Sequence, residues 1–478
     1  MDGMNKLKIH SDELTAAVKD LASHCRSAAV GPNHPEPPLV GSNPHKEAHR
    51  ARTTILSSVA LIRTLVSGPT DFLEHLASQV EILACLQWLG EFQILACIPL
   101  AGSVPIRDVA ELSGVPAIQL NRIIRLTATA GFLEESVPGQ VAHTPLSAPF
   151  VENPSLLDAA MFLAETAAPT ALRMASAAER YGDSQSASAG ASANAIANES
   201  AYNLALDTAT PFHKAREERS RLNRQWSAYL HHAGGGAHTM DGIEDMHTQL
   251  NWSKMGNAHI VEVFGPSARV SFAPGSHASA QSTATARRLA ERYPALRVTV
   301  QIANDPTKPG AAVSGQLHSK PIMPSMSIDS QGDTTGSRVI VQERAPGSRQ
   351  NITDASVYIL HLPLSSPADT MAELQAHLSI LKAGGGVMLM VTSRLLPEPG
   401  SIPDGEVERA ARWRDLLLLQ LTNEGGMEMG ELLEMVASVR DGVGGLNVVN
   451  RLRSRNGTVG VLVVKYQADV DRSCGPCV

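Results

Sequence analysis

His259-Ile260-Val261-Glu262-Val263-Phe264-Gly265-Pro266 is a short apolar run closed by a Gly-Pro turn, and the reading of the whole chain turns on it. An apolar run of this length between turn residues is a buried strand. The same pattern returns at 297–302, 338–342, 356–360, 386–391 and 458–464, with helical stretches such as 283–292 and 370–381 between several of the runs. That alternation predicts a doubly wound α/β domain with a mainly parallel sheet over 251–466. Ligands of such sheets sit beyond the C-terminal strand ends. The segment from Glu262 to Gly265 is therefore the first place to look for chemistry.

Upstream, residues 71–150 read differently. Ile82, Leu83, Leu86 and Leu89 form one helical face, Pro105 opens a short helix carrying Ile106, Val109 and Ala110, and Ser113-Gly114 ends it. Pro116 then starts a third helix with Leu120, Ile123 and Ile124 on one side, and Gly131 stops it. A hairpin around Val137-Pro138-Gly139 completes a winged helix. Gln119, Asn121, Arg122 and Arg125 are the residues that would face a DNA groove. Charge opposes that use, because 71–150 holds three basic and eight acidic residues, a net charge of −5. DNA affinity comes largely from phosphate neutralisation, so dimerisation or partner docking is the expected role, with Leu86 and Leu89 in the interface.

The whole chain has 478 residues and a net charge of −7, with 43% hydrophobic residues. This is enough to bury cores in more than one domain. No run approaches the roughly 18 apolar residues of a membrane span, and the N-terminus MDGMNKLKIHSDEL places charges where a secretory leader needs an apolar core. A soluble, intracellular protein without membrane contact is expected. Residues 1–70 read as an N-terminal helical arm, broken by the Pro-rich stretch 31–44. Residues 151–250 read as a helical connector with a flexible Ser/Ala/Gly/Asn insertion at 184–200. Lys214, Arg216, Arg219, Arg221 and Arg224 in that connector form either a solvated helix face or a nuclear-import signal. Residues 467–478 are expected to be a disordered tail, where Cys474-Gly-Pro-Cys477 has no following helix to lower a thiol pKa. The seventeen histidines form no His-Glu-x-x-His word, so no metal site is expected.

Five further words sharpen this outline: LNRIIRLTATAGFLEE (120–135), HTPLS (143–147), RYPALRVTVQ (292–301), ASVYILHLPL (355–364) and LSILKAGGGVMLMVTSRLLPEPG (378–400). Their order resembles that of the fungal and plant small-molecule O-methyltransferases over about four fifths of the chain. The resemblance implies a dimerisation-type winged helix followed by a Rossmann-like class I methyltransferase domain. It also implies a cofactor, S-adenosylmethionine, held by an acid and a glycine loop after the first strand, a ribose-binding acid after the second, and a histidine base after the fourth. Glu262 and Gly265 remain as vestiges of the first feature, but Phe264 puts a ring where the cofactor lies and Pro266 removes a backbone donor. Ile302 stands where the ribose acid is expected, with Asn304 and Asp305 beyond it, and an adenine-contacting acid falls near Ala345. Ser365 occupies the base position and is no base at neutral pH; His361 lies four residues earlier.

Loop, ribose acid and base are thus all altered in a chain whose flanking words are intact. The chain is identified by resemblance with the methyltransferase-like transcriptional co-activators of fungal aromatic-polyketide gene clusters, the aflatoxin-cluster co-activator type. That branch implies a nuclear homodimer with no cofactor and no catalytic residue. It works with a binuclear zinc-cluster transcription factor that does most of the DNA reading. Two alternatives stand beside it: an active S-adenosylmethionine-dependent O-methyltransferase acting on a phenolic polyketide, and a winged-helix regulator that binds DNA itself.

Overall fold

Helix-forming runs in the arm and winged helix give way, from 259 onward, to strands alternating with helices. The structure is a computed structural model that describes residues 3–28, 46–187, 199–233, 246, 249–250, 252–264, 278–303, 339–362, 367–384, 386–392, 396, 405–423, 427–454 and 459–469. It divides into two compact units, the first built on residues up to Cys85 and the second on residues from Leu86.

In the first unit, helix α1 (Gly3–Ala28) packs along α2 (Lys46–Val66), burying Ala17, Ala51 and Ser58. Both helices are longer than the amphipathic cores legible at 14–21 and 53–66. The Pro-rich stretch between them lies outside the described residues. Helix α3 (Pro69–Glu91) starts on a proline, the residue suited to a first helical turn, and the Asp71 carboxylate accepts the Gly68 N–H at 2.7 Å. This helix runs without a break across the expected border between residues 70 and 71.

The second unit opens with the winged helix. The end of α3, α4 (Ile106–Ser113) and α5 (Ala117–Thr129) enclose Leu89, Ile106, Val109, Leu120 and Ile124. Gly114 ends α4 at φ 70°, a left-handed conformation that side chains disfavour. The hairpin is joined by a strand the sequence did not announce, so β1 (Ser103–Pro105), β2 (Leu133–Glu134) and β3 (Gln140–His143) form an antiparallel sheet in the order β1-β3-β2. The connector gathers Phe162, Tyr202, Phe212, Trp226 and Tyr229 into an aromatic core, which Leu417, Leu418 and Leu421 of helix Gly405–Thr422 complete. Part of the expected flexible insertion at 184–200 is helical. Helix Met174–Ala187 extends into it, and buried Ser200 caps helix Ala201–Ala205, leaving 188–198 outside the described residues.

Among the described residues the α/β domain carries seven strands: β4 (His259–Phe264), β5 (Arg297–Ala303), β6 (Val339–Arg344), β7 (Val357–Leu362), β8 (Val387–Thr392), β9 (Gly444–Arg453) and β10 (Gly460–Ala468). Their order is β6-β5-β4-β7-β8-β10-β9; the first five are parallel, and β10 runs antiparallel to both β8 and β9. Helix Ala278–Arg292 covers one face through Ala286, Leu289 and Ala290, against Ile260, Val300 and Ile359. Helices Pro367–Gly384 and Met429–Ser438 cover the other, against Val261, Leu360 and Met390. Strand β10 reaches Ala468, so the first residues of the expected tail belong to the sheet; Cys474 and Cys477 lie outside the described residues. Chain order reverses between β4 and β7, the place where a crevice opens beyond a parallel sheet.

Candidate functional site at the switch point

Strand register aligns Ile302, Phe264, His361 and Val391 in one row across the strand ends. Neighbours in register project to the same face, so the Phe264 and His361 side chains meet. Their rings lie flat on each other, with centroids 4.0 Å apart and planes 7° from parallel. Glu262 lies two residues back on that face and has no exposed surface. Neither of its carboxylate oxygens has a hydrogen-bond partner. His361 Nε2 stands 4.0 Å from Glu262 Oε2, beyond hydrogen-bond reach. Burial pushes the Glu262 carboxyl up to about 8, which leaves it protonated at neutral pH. A protonated carboxyl has no charge with which to take a proton from a substrate. Ile302 adds only a half-buried alkyl group to the row. His361 sits within β7, its ring committed to the stack. Gly265, Pro266, Asn304, Asp305 and Ser365 lie outside the described residues.

A second polar cluster, which sequence reading missed, lies beneath the other flank of the sheet. Arg344 at the end of β6 pairs with Glu373 of helix Pro367–Gly384, and the second Glu373 oxygen accepts the Gly347 N–H at 2.9 Å. One turn along the helix, His377 Nδ1 lies 2.8 Å from the Glu373 carbonyl and Nε2 lies 3.1 Å from Gln350 Nε2. Gln350 and Gln301 exchange amide hydrogen bonds at 2.8 and 2.9 Å. Burial lowers the His377 pKa, favouring the neutral ring. The Glu373/His377 spacing of four residues was the available signal; Arg344 and Gln350 reach it only through the fold. This cluster holds the 345–352 turn against the sheet.

On the winged helix, Gln119 and Arg122 are exposed, whereas Asn121 is half-buried with its side-chain oxygen unpartnered. Arg125 is taken by Glu135, through Nε at 2.9 Å and Nη2 at 3.2 Å, and Glu135 also accepts the Gly139 N–H at 2.8 Å. The recognition-type helix is thus tied to the wing, and a fork that could hold phosphate holds a carboxylate. In the connector's basic series Lys214, Arg219, Arg221 and Arg224 are exposed, as on a solvated face, while Arg216 is half-buried. Arg216 packs over the Phe212 and Trp226 rings, Arg221 pairs with Glu165 at 2.6 Å, and Arg224 pairs with Asp158 at 2.8 Å. Among the described residues no helix is long and apolar enough to cross a membrane, and no three metal-ligating side chains converge.

Residues 4–67 match the model of the trypacidin cluster transcriptional coactivator tpcD N-terminal domain. Over 98% of its length the chain is 48% identical to the transcriptional coactivator nsrH of Aspergillus novofumigatus, covering 100% of that protein. It is 43% identical to the monodictyphenone cluster transcriptional coactivator mdpA of Emericella nidulans, again over 98% of this chain and 99% of that one. Among solved structures the fold is that of class I O-methyltransferases. The crystal structure of OxaC in complex with SAH and oxaline superposes with a TM-score of 0.53 at 13% identity, covering 98% of this chain and 100% of OxaC. Full-length similarity at this level decides the relationship: the chain belongs to the family of transcriptional coactivators of fungal secondary-metabolite gene clusters.

Proposed function

We propose that this protein is a non-catalytic transcriptional coactivator. On this reading it acts in the nucleus as a homodimer, with a binuclear zinc-cluster transcription factor, to switch on a fungal aromatic-polyketide gene cluster. The observation that supports a non-catalytic reading is at the switch point, where the Phe264–His361 stack lies over a buried Glu262 whose oxygens have no hydrogen-bond partner. The residues there do not fit S-adenosylmethionine: the Phe264 ring is stacked on His361 at the end of the first strand of the sheet, and Ile302 in register beside it has no acceptor for a ribose hydroxyl. The names of its relatives support the coactivator role. The acidic winged helix and the Arg125–Glu135 pair support leaving DNA reading mainly to the partner. A coactivator of this kind works by mass action, since binding the DNA-competent form of an activator raises its population.

Titration calorimetry with S-adenosylmethionine should give no dissociation constant below about 1 mM; a micromolar constant would restore the enzyme reading. Deleting the gene should silence one cluster, and co-precipitation should recover the zinc-cluster partner. Glu262→Ala should leave cluster transcripts intact. Leu112→Lys with Ile118→Lys should abolish them, because these side chains, 73% and 76% exposed, flank the α4–α5 turn on the docking module. Loss of one methylated product with normal transcripts after Glu262→Ala would sink the proposal.

A further inference from the structure

Between positions 56 and 80, nine large apolar side chains on α2 and α3 are more than a third exposed. Large exposed apolar faces of this kind mark interaction sites. From Pro69 to Glu81 every residue except His75 is exposed, so the first three turns of α3 stand bare while α2 is backed by α1. On α3 the stripe is Leu73, Leu76 and Val80, with Phe72 beside it, each 47–67% exposed. On α2, Leu56, Val59 and Val66 alternate with Arg52 and Arg63 at spacings of three and four. These are the spacings of helix–helix seams. The expectation that Leu86 and Leu89 form the interface does not hold: Leu89 is fully buried in the winged-helix core and Leu86 packs against that core. The unpartnered stripe lies on the same helix, two turns earlier.

Charge selects the occupant. Helix α2 carries Lys46, Arg50, Arg52 and Arg63 against Glu47, a net +3, while α3 up to Cys85 carries Asp71, Glu74 and Glu81 with no Lys or Arg, a net −3. Pairing α3 with another α3, or α2 with another α2, would oppose like charges; pairing α2 with α3 joins opposite ones. Within one chain the two helices meet at their shared corner, where Arg63 Nη1 lies 3.2 Å from His75 Nε2, and the stripe beyond stays uncovered. We propose that α2 and α3 form a reciprocal self-association surface, in which α2 of each copy covers α3 of a second copy of this chain. The arrangement is isologous, so both contacts form about one two-fold axis. It rests on the homodimer reading above and names the surface that makes the dimer.

Sedimentation velocity of the full chain across a wide concentration range tests this. The wild type should be dimeric, and Leu76→Lys with Val80→Lys should weaken association at least about tenfold, with an unchanged far-UV circular dichroism spectrum because both sites are exposed in the single chain. A chain with Arg52→Glu and Arg63→Glu, and a chain with Glu74→Lys and Glu81→Lys, should each self-associate poorly and form a dimer again when mixed. A monomeric wild type would overturn the inference together with the homodimer reading, even if the zinc-cluster activator bound these helices. A dimer that survives the Leu76 and Val80 changes, or reversed chains that fail to re-pair on mixing, would overturn this pairing and leave the homodimer standing.

Discussion

Among the described residues, the α/β domain buries two glutamates and treats them in opposite ways. Glu373 is enclosed by Arg344, the Gly347 N–H and the Gln350–His377 cluster, so its charge is matched. Glu262, at the switch point of the same sheet, has no hydrogen-bond partner and sits under an aromatic stack. A buried carboxyl without a partner costs stability, and a fold under selection for stability alone would not place one there. The contrast separates a buried acid whose charge the fold matches from one that it leaves without a hydrogen bond at the strand ends where sheets of this kind hold ligands.

The largest expected effect lies on the satisfied side. Glu373→Ala leaves the Arg344 guanidinium buried and unpaired, and should cost about 3–5 kcal/mol in chemical denaturation of the α/β domain. A loss near zero would break the comparison. Next comes Glu262→Gln, which should stabilise. Because the folded carboxyl is raised from 4.5 to about 8, the folded state holds a proton that the unfolded state has released between those values. Wild-type stability should therefore fall as pH rises through that window, by up to about 1.4 kcal/mol per pH unit. The Gln variant should lack that slope, be more stable by roughly 2–3 kcal/mol at pH 7, and match the wild type below pH 4.5. Denaturation midpoints measured across pH check both the slope and its removal.

The smallest effect extends the comparison to the connector, where the Tyr229 hydroxyl is also buried without a partner. Tyr229→Phe should be neutral or stabilising by no more than about 1 kcal/mol, since it deletes an oxygen that makes no bond. A marked destabilisation would mean that the hydroxyl does form one, and would remove Tyr229 from the class that Glu262 represents.

Much of this architecture is legible in the order of the amino acids. Alternation of apolar runs and helices marks the parallel strands, since buried strands and their covering helices must both be apolar at different periods. The words around Phe264, Ile302 and Ser365 point to an altered site because a ring, an alkyl group and a hydroxyl lack the chemistry those positions require. Helices Gly405–Thr422 and Met429–Ser438 carry helical periods, Leu417, Leu418 and Leu421 in one and Met429, Leu432, Leu433 and Val436 in the other, whereas strand β9 mixes apolar and polar residues and its bounds come from pairing with β10.

By itself, then, the sequence determined the fold class, the acidic character of the winged helix and the residue types at the strand ends, because period and side-chain chemistry are local properties. Tertiary structure decided the rest. Strand register set Phe264 beside His361 over Glu262, and a crossover brought Arg344 to Glu373 from 29 residues away. Packing left the α2 and α3 stripes bare while it buried Leu89 on the same α3 helix. Burial and pairing depend on which distant segments meet, and that is a property of the folded chain rather than of any one stretch of it.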